Sequence, residues 1–309
     1  MDQQLILNEA KTHGTRWNSR GMALLALAGA VLLWGTSYAA AKTALQQVSP
    51  ATLIGLRMLL ASLVLLPFWS RLPRPCYQAG DGRWLLVLGL LQPCLYFLCE
   101  VQALRHTSSA QAGTIAALVP LFVAVMARIW LGERLRTPAL LGLLASLAGV
   151  ILLSLAAVGS VAAPDPLLGN SLQLMAMLCA ASYMVLLKRL SDRYDTWWLT
   201  GVQNLLGVLF YLPAVWLARD SLLMVDLQGW LAIGYLGGIV TLGGFGLYNM
   251  ALRVLPASEA ALSINLVPLL AILVGWLLLG EAMTPLQSLA ALLILGGVVI
   301  SQIKIRAND

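Results

Sequence analysis

LVPLFVAVMARIWLGERL (118–135) and LVPLLAILVGWLLLGEAM (266–283) are two versions of one phrase, 148 residues apart. Extended to 112–133 against 260–281, eight of 22 positions are identical without a gap. The match reaches toward the start of each half. Ser37 and Tyr38 align with Ser182 and Tyr183, and Gly55, Leu59, Leu60 and Pro67 align with Gly201, Leu205, Leu206 and Pro213. The chain is one unit written twice, and both copies of the phrase are too apolar to face water.

Composition agrees. Sixty per cent of the 309 residues are hydrophobic and 10% are charged, against about 25% charged in a soluble domain. Crossing the hydrocarbon core takes about 20 apolar residues, and lipid offers the backbone no hydrogen bonds, so such segments are helices. Ten segments qualify: 21–41, 51–69, 83–104, 109–131, 138–158, 170–190, 196–218, 228–250, 257–279 and 285–303. The fold class is all-α and polytopic. Residues 1–20 form a polar cytoplasmic tail, 21–158 a first five-helix repeat and 169–305 a second. Five is odd, so the second repeat enters from the opposite side and the repeats are inverted. That is an architecture of secondary transporters, with the substrate site near the midplane. The apolar run after Arg20 is too long for a signal peptide.

Charge fixes the orientation. With the N-terminus in the cytoplasm, fourteen Lys and Arg fall inside and three outside (Lys42, Arg105 and Arg219); Arg57 and Arg128 lie within spans. This bias gives both termini to the cytoplasm of a bacterial inner membrane. It also accounts for the net charge of +6 without nucleic acid, and no basic stripe with interleaved aromatics is present. Eight of ten tryptophans sit near span ends, as in an aromatic belt, whereas Trp34 lies well inside a span. Cys76, Cys94, Cys99 and Cys179 show no metal-ligand spacing and read as small hydrophobes. No metal or other cofactor is expected.

WGTSYAAAKTAL…GLRMLLASLVLLP (34–67) and ALRHTSSAQAGTIAALVPLFVAVMARIWLGERL (103–135) resemble the EamA branch of the drug/metabolite transporter superfamily, and ALRVLPASEAALSINLVPLLAILVGWLLLGE (251–281) resembles its second copy. The resemblance covers nearly the whole chain. It implies ten helices around a central cavity, both termini inside, and export of amino acids, other metabolites or drugs.

Candidate cavity residues follow from polarity inside spans. Trp34, Tyr38 and Lys42 share one face of span one at i, i+4, i+8. Lys42, at the outer end, is also placed to snorkel to the interface. Gln92, Tyr96 and Glu100 repeat the spacing on span three. Arg57 lies roughly 10 Å into span two, and Glu100 about 6–8 Å below the outer end of its span. Charges at membrane depth pair or face water, so the two are expected to share a polar region, as a structural pair or as a site for zwitterions. In the second half Tyr183 aligns with Tyr38, Tyr248 with Glu100, and Gln203 with Arg57, while Asn265 places an amide mid-span. Pro120 and Pro268 each remove a helical hydrogen bond and are expected to kink spans four and nine. Glu133 and Glu281 follow glycines at span ends and read as structural turns.

A solute carrier, acting as a monomer on a small-molecule substrate in a lipid bilayer, accounts for this pattern. Amino acids or related zwitterions are the expected cargo; a multidrug or nucleoside efflux carrier is the alternative. An enzyme is not expected, since no HExxH, mid-membrane acidic pair or intramembrane histidine occurs. A membrane sensor or scaffold that transports nothing is the reading from another class.

Overall fold

A computed structural model describes residues 20–72, 75, 77–131, 137–157, 159–160, 163–190, 193–252, 254–255, 263 and 266–301. Among them the regular structure is helical, apart from one isolated bridge between Ser160 and Ala163. The helices are α1 (Arg20–Ala44), α2 (Pro50–Leu65), α3 (Asp81–Gly89), α4 (Tyr96–His106), α5 (Ser109–Ala116), α6 (Val119–Leu131), α7 (Thr137–Leu155), α8 (Pro166–Leu190), α9 (Thr196–Leu217), α10 (Leu227–Gly234), α11 (Phe245–Leu252), α12 (Val267–Leu279) and α13 (Pro285–Ser301). Six helical segments are long and apolar enough to cross a membrane, and the bent pair α5–α6 makes a seventh if counted as one span. The segments expected at 138–158, 257–279 and 285–303 contain shorter apolar helices. The chain is a polytopic membrane protein.

Local chemistry sets the boundaries. Ser49 caps α2 by accepting from the Thr52 N–H, with Pro50 as the first helical residue. Thr284 and Gln287 form a reciprocal capping box at the start of α13: Thr284 Oγ1 accepts from Gln287 N at 3.3 Å, and Gln287 Oε1 accepts from Thr284 N at 2.8 Å. Asp195 and Asp226 cap α9 and α10 by accepting from backbone N–H groups of the first turn.

Both third spans are interrupted. A π-helical segment, Leu90–Leu95, separates α3 from α4, and Tyr235–Gly244 separates α10 from α11. In the first, Gln92 leaves helical geometry altogether (φ −146°, ψ 122°), in keeping with the pressure a following proline exerts on its neighbour. The Tyr211 hydroxyl, from α9, donates to the Cys94 carbonyl at 2.5 Å, which satisfies a backbone group the irregular turn displaces.

Pro120 and Pro268, expected to kink spans four and nine, stand at helix starts. The chain bends by 40° between α5 and α6, and Pro120 is the second residue after that break. Pro268 occupies the same place at the start of α12. Proline is tolerated there because the first-turn N–H has no intrahelical acceptor.

Several helix pairs recur when the halves are exchanged. α1 packs on α11 and α12; its counterpart α8 packs on α4 and α6. α2 packs on its own counterpart α9, and α7 on its counterpart α13. The α7–α13 contact is so close that a Cβ on Gly297 would strike the Gly142 carbonyl and Ser146 Oγ. Small residues at such a seam are how helices associate in lipid.

The distribution of polarity is inverted relative to a soluble protein. Leu25, Leu63, Leu209, Leu278 and Leu292 lie more than half exposed, while Arg57, Gln92, Glu100, Gln111, Asn170, Gln173 and Thr241 are buried. Tryptophans at span ends, such as Trp130, Trp216 and Trp276, are exposed, and Trp34 is packed inside.

Candidate functional site

The charged pair expected from the sequence falls into one interior cluster at the junction of α1, α2, α4, α8 and the second π segment. The helical rise of α4 stacks Tyr96 beneath Glu100, and the Tyr96 hydroxyl donates to Glu100 Oε1 at 2.6 Å. The Tyr38 hydroxyl, from α1, faces the same carboxylate. From α2, Arg57 reaches across to Thr241: its Nε donates to Thr241 Oγ1 at 2.8 Å. The guanidinium lies over the Phe97 ring, 4.2 Å from the centroid, a cation–π contact that strengthens where water is excluded. Thr241 in turn donates to the Leu236 carbonyl at 2.7 Å, the five-residue spacing that a π segment creates.

Arg57 and Glu100 therefore share a region but not a bond. No ion pair joins them among the described residues; the cation is held by a threonine and a phenyl face, the anion by tyrosine hydroxyls. Each keeps 8% of its surface open. Two opposite charges stay within electrostatic reach of one another, and neither is neutralised by the other.

Gln173 of α8 completes the cluster. It is fully buried and lies within hydrogen-bonding reach of the Tyr38 hydroxyl. Gln173 and Thr241 were not among the sequence candidates. The available signal was a polar side chain within each of two apolar spans.

The other candidates sit elsewhere. Trp34 packs against Tyr248 in a tilted arrangement, ring centroids 5.4 Å apart, joining α1 to α11. Tyr183 donates to Gln203 Oε1 at 3.2 Å and packs in a separate cluster with Leu88, Leu186 and Tyr194. Gln92 is buried at the backbone break before α4. Asn265 and Glu133 lie outside the described residues.

Lys42 turns away from the cluster. Its Nζ lies 2.8 Å from Glu281 Oε1 and donates to the Thr107 carbonyl at 2.9 Å. Gly280, with φ +65°, lets the chain reverse at the end of α12. The Glu281 carboxylate is thereby placed against the start of α5, where it accepts from Ser109 N, Ser109 Oγ and Ala110 N at 3.1, 2.6 and 3.2 Å. These N–H groups have no intrahelical acceptor, and the helix dipole favours an anion there. Glu281 is thus more than a turn residue. Burial raises its pKa, but the Lys42 and Ser109 hydrogen bonds more than offset this and hold it below the usual glutamate range.

A groove of about 180 Å³ lined by residues of α7 and α8, among them Ile151, Ser154 and Asn170, shares no residue with the charged cluster. Its walls are mostly apolar, so the chemistry lies with the cluster.

Two parts of the chain, residues 21–155 and 167–302, match the EamA-like transporter family. An uncharacterized protein of Pseudomonas aeruginosa, PA1977, is 33% identical over 281 residues, covering 90% of this chain and 91% of its own. The uncharacterized transporter YetK of Bacillus subtilis is 23% identical over 314 residues, covering 100% of this chain and 95% of its own. A protein of known crystal structure superposes with a TM-score of 0.57 at 25% identity, over 92% of this chain and 97% of that one. Relatives along nearly the full length, a family match in each half and apolar helices around a polar interior agree on one assignment: the chain belongs to the EamA-like transporter family and is a multi-pass membrane transporter.

Proposed function

We propose that the chain is a ten-span inner-membrane carrier of two inverted five-helix repeats, acting as a monomer, which exports small zwitterions such as amino acids by alternating access. The observation that carries this reading is the separation of Arg57 from Glu100 within one buried cluster. A zwitterion supplies both missing partners. Its carboxylate pairs with the guanidinium and its ammonium with Glu100, each as a charge-assisted hydrogen bond. An ion pair between the two residues would leave no such demand. Inversion is supported by the helix pairs that recur on exchange of the halves, by the interruptions before α4 and α11, and by the matching prolines at the starts of α6 and α12. Discontinuous helices of this kind are where transporters build their sites.

The Trp34–Tyr248 pair favours a second reading, a carrier for flat aromatic solutes such as nucleosides or drugs. Purified protein in liposomes separates the readings. Counterflow of a labelled amino acid that is lost in Arg57→Met and Glu100→Gln supports the zwitterion. Flux of nucleosides or aromatic cations alone, unaffected by these substitutions, supports the second reading. No flux of any solute supports a sensor or scaffold.

A further inference from the structure

Four of the membrane-length segments end or begin at one level: Pro50–Arg71, Asp81–His106, Pro166–Leu187 and Trp197–Leu217. The Arg193–Asp81 bridge, at 2.9 Å, and the Trp69–Trp198 contact, with ring centroids 6.3 Å apart, hold those ends together. Tryptophans gather where helices leave the hydrocarbon core. Two arginines at this level share one ring. Arg83, in the first turn of α3, and Arg189, in the last turn of α8, place their guanidinium carbons 5.3 and 5.0 Å from the centroid of Trp84. Trp84 is itself seated on the buried cluster of Leu88, Leu186 and Tyr194.

Neither arginine has a hydrogen-bond or carboxylate partner among the described residues. The described acids nearby are committed. Asp81 is held by Arg193 and the Tyr194 hydroxyl, and Asp195 by the N–H groups of Trp197 and Trp198 that it caps. The Arg–Trp contact at the other end of α9 is built differently. Arg219 lies 5.0 Å from the Trp216 centroid, but it also lies 3.8 Å from Asp220 and donates to the Trp216 carbonyl at 3.2 Å. At Trp84 two like charges flank one indole and repel each other, with no carboxylate among the described residues to offset them.

We propose that Arg83, Arg189 and Trp84 form a binding site for the phosphate of an anionic phospholipid, with one arginine from each half of the chain. The planar fork of arginine matches phosphate oxygens. Both side chains are exposed and can turn toward one anion. What lies deeper argues for a lipid over a soluble anion. Leu86 and Leu90 follow Arg83 at i+3 and i+7, on the same face, and are 53% and 40% exposed. They offer an acyl chain a track below the headgroup. The surplus of cations repels the ammonium of a zwitterionic lipid and favours an anionic one, as basic groups at span ends do. The site is independent of the cargo and of the charged cluster.

The test titrates purified protein in a neutral detergent with phosphatidylglycerol, phosphatidylcholine or inorganic phosphate. Native mass spectrometry reads the lipid retained, and thermal unfolding reads its effect. The wild type should hold phosphatidylglycerol about tenfold or more tighter than phosphatidylcholine and melt higher with it. Arg83→Gln and Arg189→Gln should each weaken phosphatidylglycerol about fivefold, and the double variant should lose the preference. Arg219→Gln should keep it. Without lipid the variants should melt close to the wild type, which reports that they are folded. Arg83→Lys with Arg189→Lys keeps both charges without the forks, and should fall between the wild type and the glutamine pair. Equal retention of the two lipids by the wild type, a preference that survives in the glutamine pair, or the same loss in Arg219→Gln overturns the site. Inorganic phosphate that raises the melting temperature as far as phosphatidylglycerol does, and displaces it, overturns the lipid in favour of a soluble anion.

Discussion

Lys42 Nζ lies 2.8 Å from Glu281 Oε1 and ties the end of α1, in the first half, to the end of α12, in the second. The carboxylate also holds the first two N–H groups of α5, and the ammonium holds the Thr107 carbonyl. Both side chains are nearly buried, 11% and 8% exposed. Removing one member of such a pair leaves an uncompensated charge and costs about 3–5 kcal/mol. Lys42→Met and Glu281→Gln should each lower the melting temperature of the purified protein by several degrees. The double substitution should recover part of the loss, since the coupling between contacting residues is not additive. Single variants that melt like the wild type would show the bridge to be energetically idle.

The same carboxylate predicts an acid response. Glu281 is held below the ordinary glutamate range by its hydrogen bonds to Lys42 and Ser109, against the opposing effect of burial. A group whose pKa is depressed on folding contributes stability above its unfolded value, about 4.3, and loses it as the pH falls through the folded value. Melting temperature should stay level from neutrality to about pH 5 and then decline. The decline should be shallower in Glu281→Gln. Identical acid profiles for the two proteins would assign the response to other carboxylates.

How much of this was legible in the sequence depends on the range of the contact. Spacing within one helix was readable: Tyr96 and Glu100 do meet on α4. The repeated prolines both stand at helix starts, where proline acts on its own helix. Contacts between helices were not readable, because helical periodicity fixes a face but not the rotation of a neighbour. Glu281 is 239 residues from Lys42 and Thr241 is 184 from Arg57, so Glu281 read as a turn and Thr241 was passed over. Lys42 was grouped with Trp34 and Tyr38 by spacing alone, yet it reaches outward to Glu281. The backbone excursion at Gln92 was hidden as well; Pro93 announced a disturbance without giving its form.

The α7–α13 seam offers a paired comparison. A Cβ on Gly297 would meet the Gly142 carbonyl and Ser146, whereas one on Gly296 meets nothing within 4 Å. Gly297→Val should destabilise by at least about 1–3 kcal/mol through overpacking. Gly296→Ala should be neutral or stabilise by about 0.5–1 kcal/mol, since alanine loses less entropy in a helix. Thermal unfolding in one detergent measures both. Equal effects would place the contact between these helices elsewhere.

Orientation rests on charge. With the ten expected spans, fourteen of the seventeen Lys and Arg outside them would fall on one side, which retention in the cytoplasm favours. A reporter active only in the periplasm, fused after Asp309, should be silent, and one active in the cytoplasm should work. The reverse pattern would invert the topology and place Lys42 and Glu281 on the cytoplasmic side.

Energy coupling is the last expectation, and the cluster itself argues it. The buried or nearly buried carboxylates among the described residues are Asp81, Glu100 and Glu281. Glu281 is taken by Lys42 and by the start of α5. Asp81 is taken by Arg193 at 2.9 Å and by the Tyr194 hydroxyl at 2.8 Å, so Glu100 alone remains as a carrier of protons inside the membrane. A relay needs groups that alternate between sides, and one carboxylate enclosed by tyrosines is thin machinery for that. A zwitterion also needs no proton to balance it: its two charges cancel against Glu100 and Arg57, and no net charge crosses. Transport should therefore be facilitated diffusion or exchange. Uptake into proteoliposomes should run at the same rate with and without a pH gradient and stop at equal concentrations on both sides. Glu100→Gln should weaken uptake under both conditions by removing the ammonium's partner. Accumulation above equilibrium driven by an imposed gradient, and abolished by Glu100→Gln, would instead make Glu100 the proton carrier.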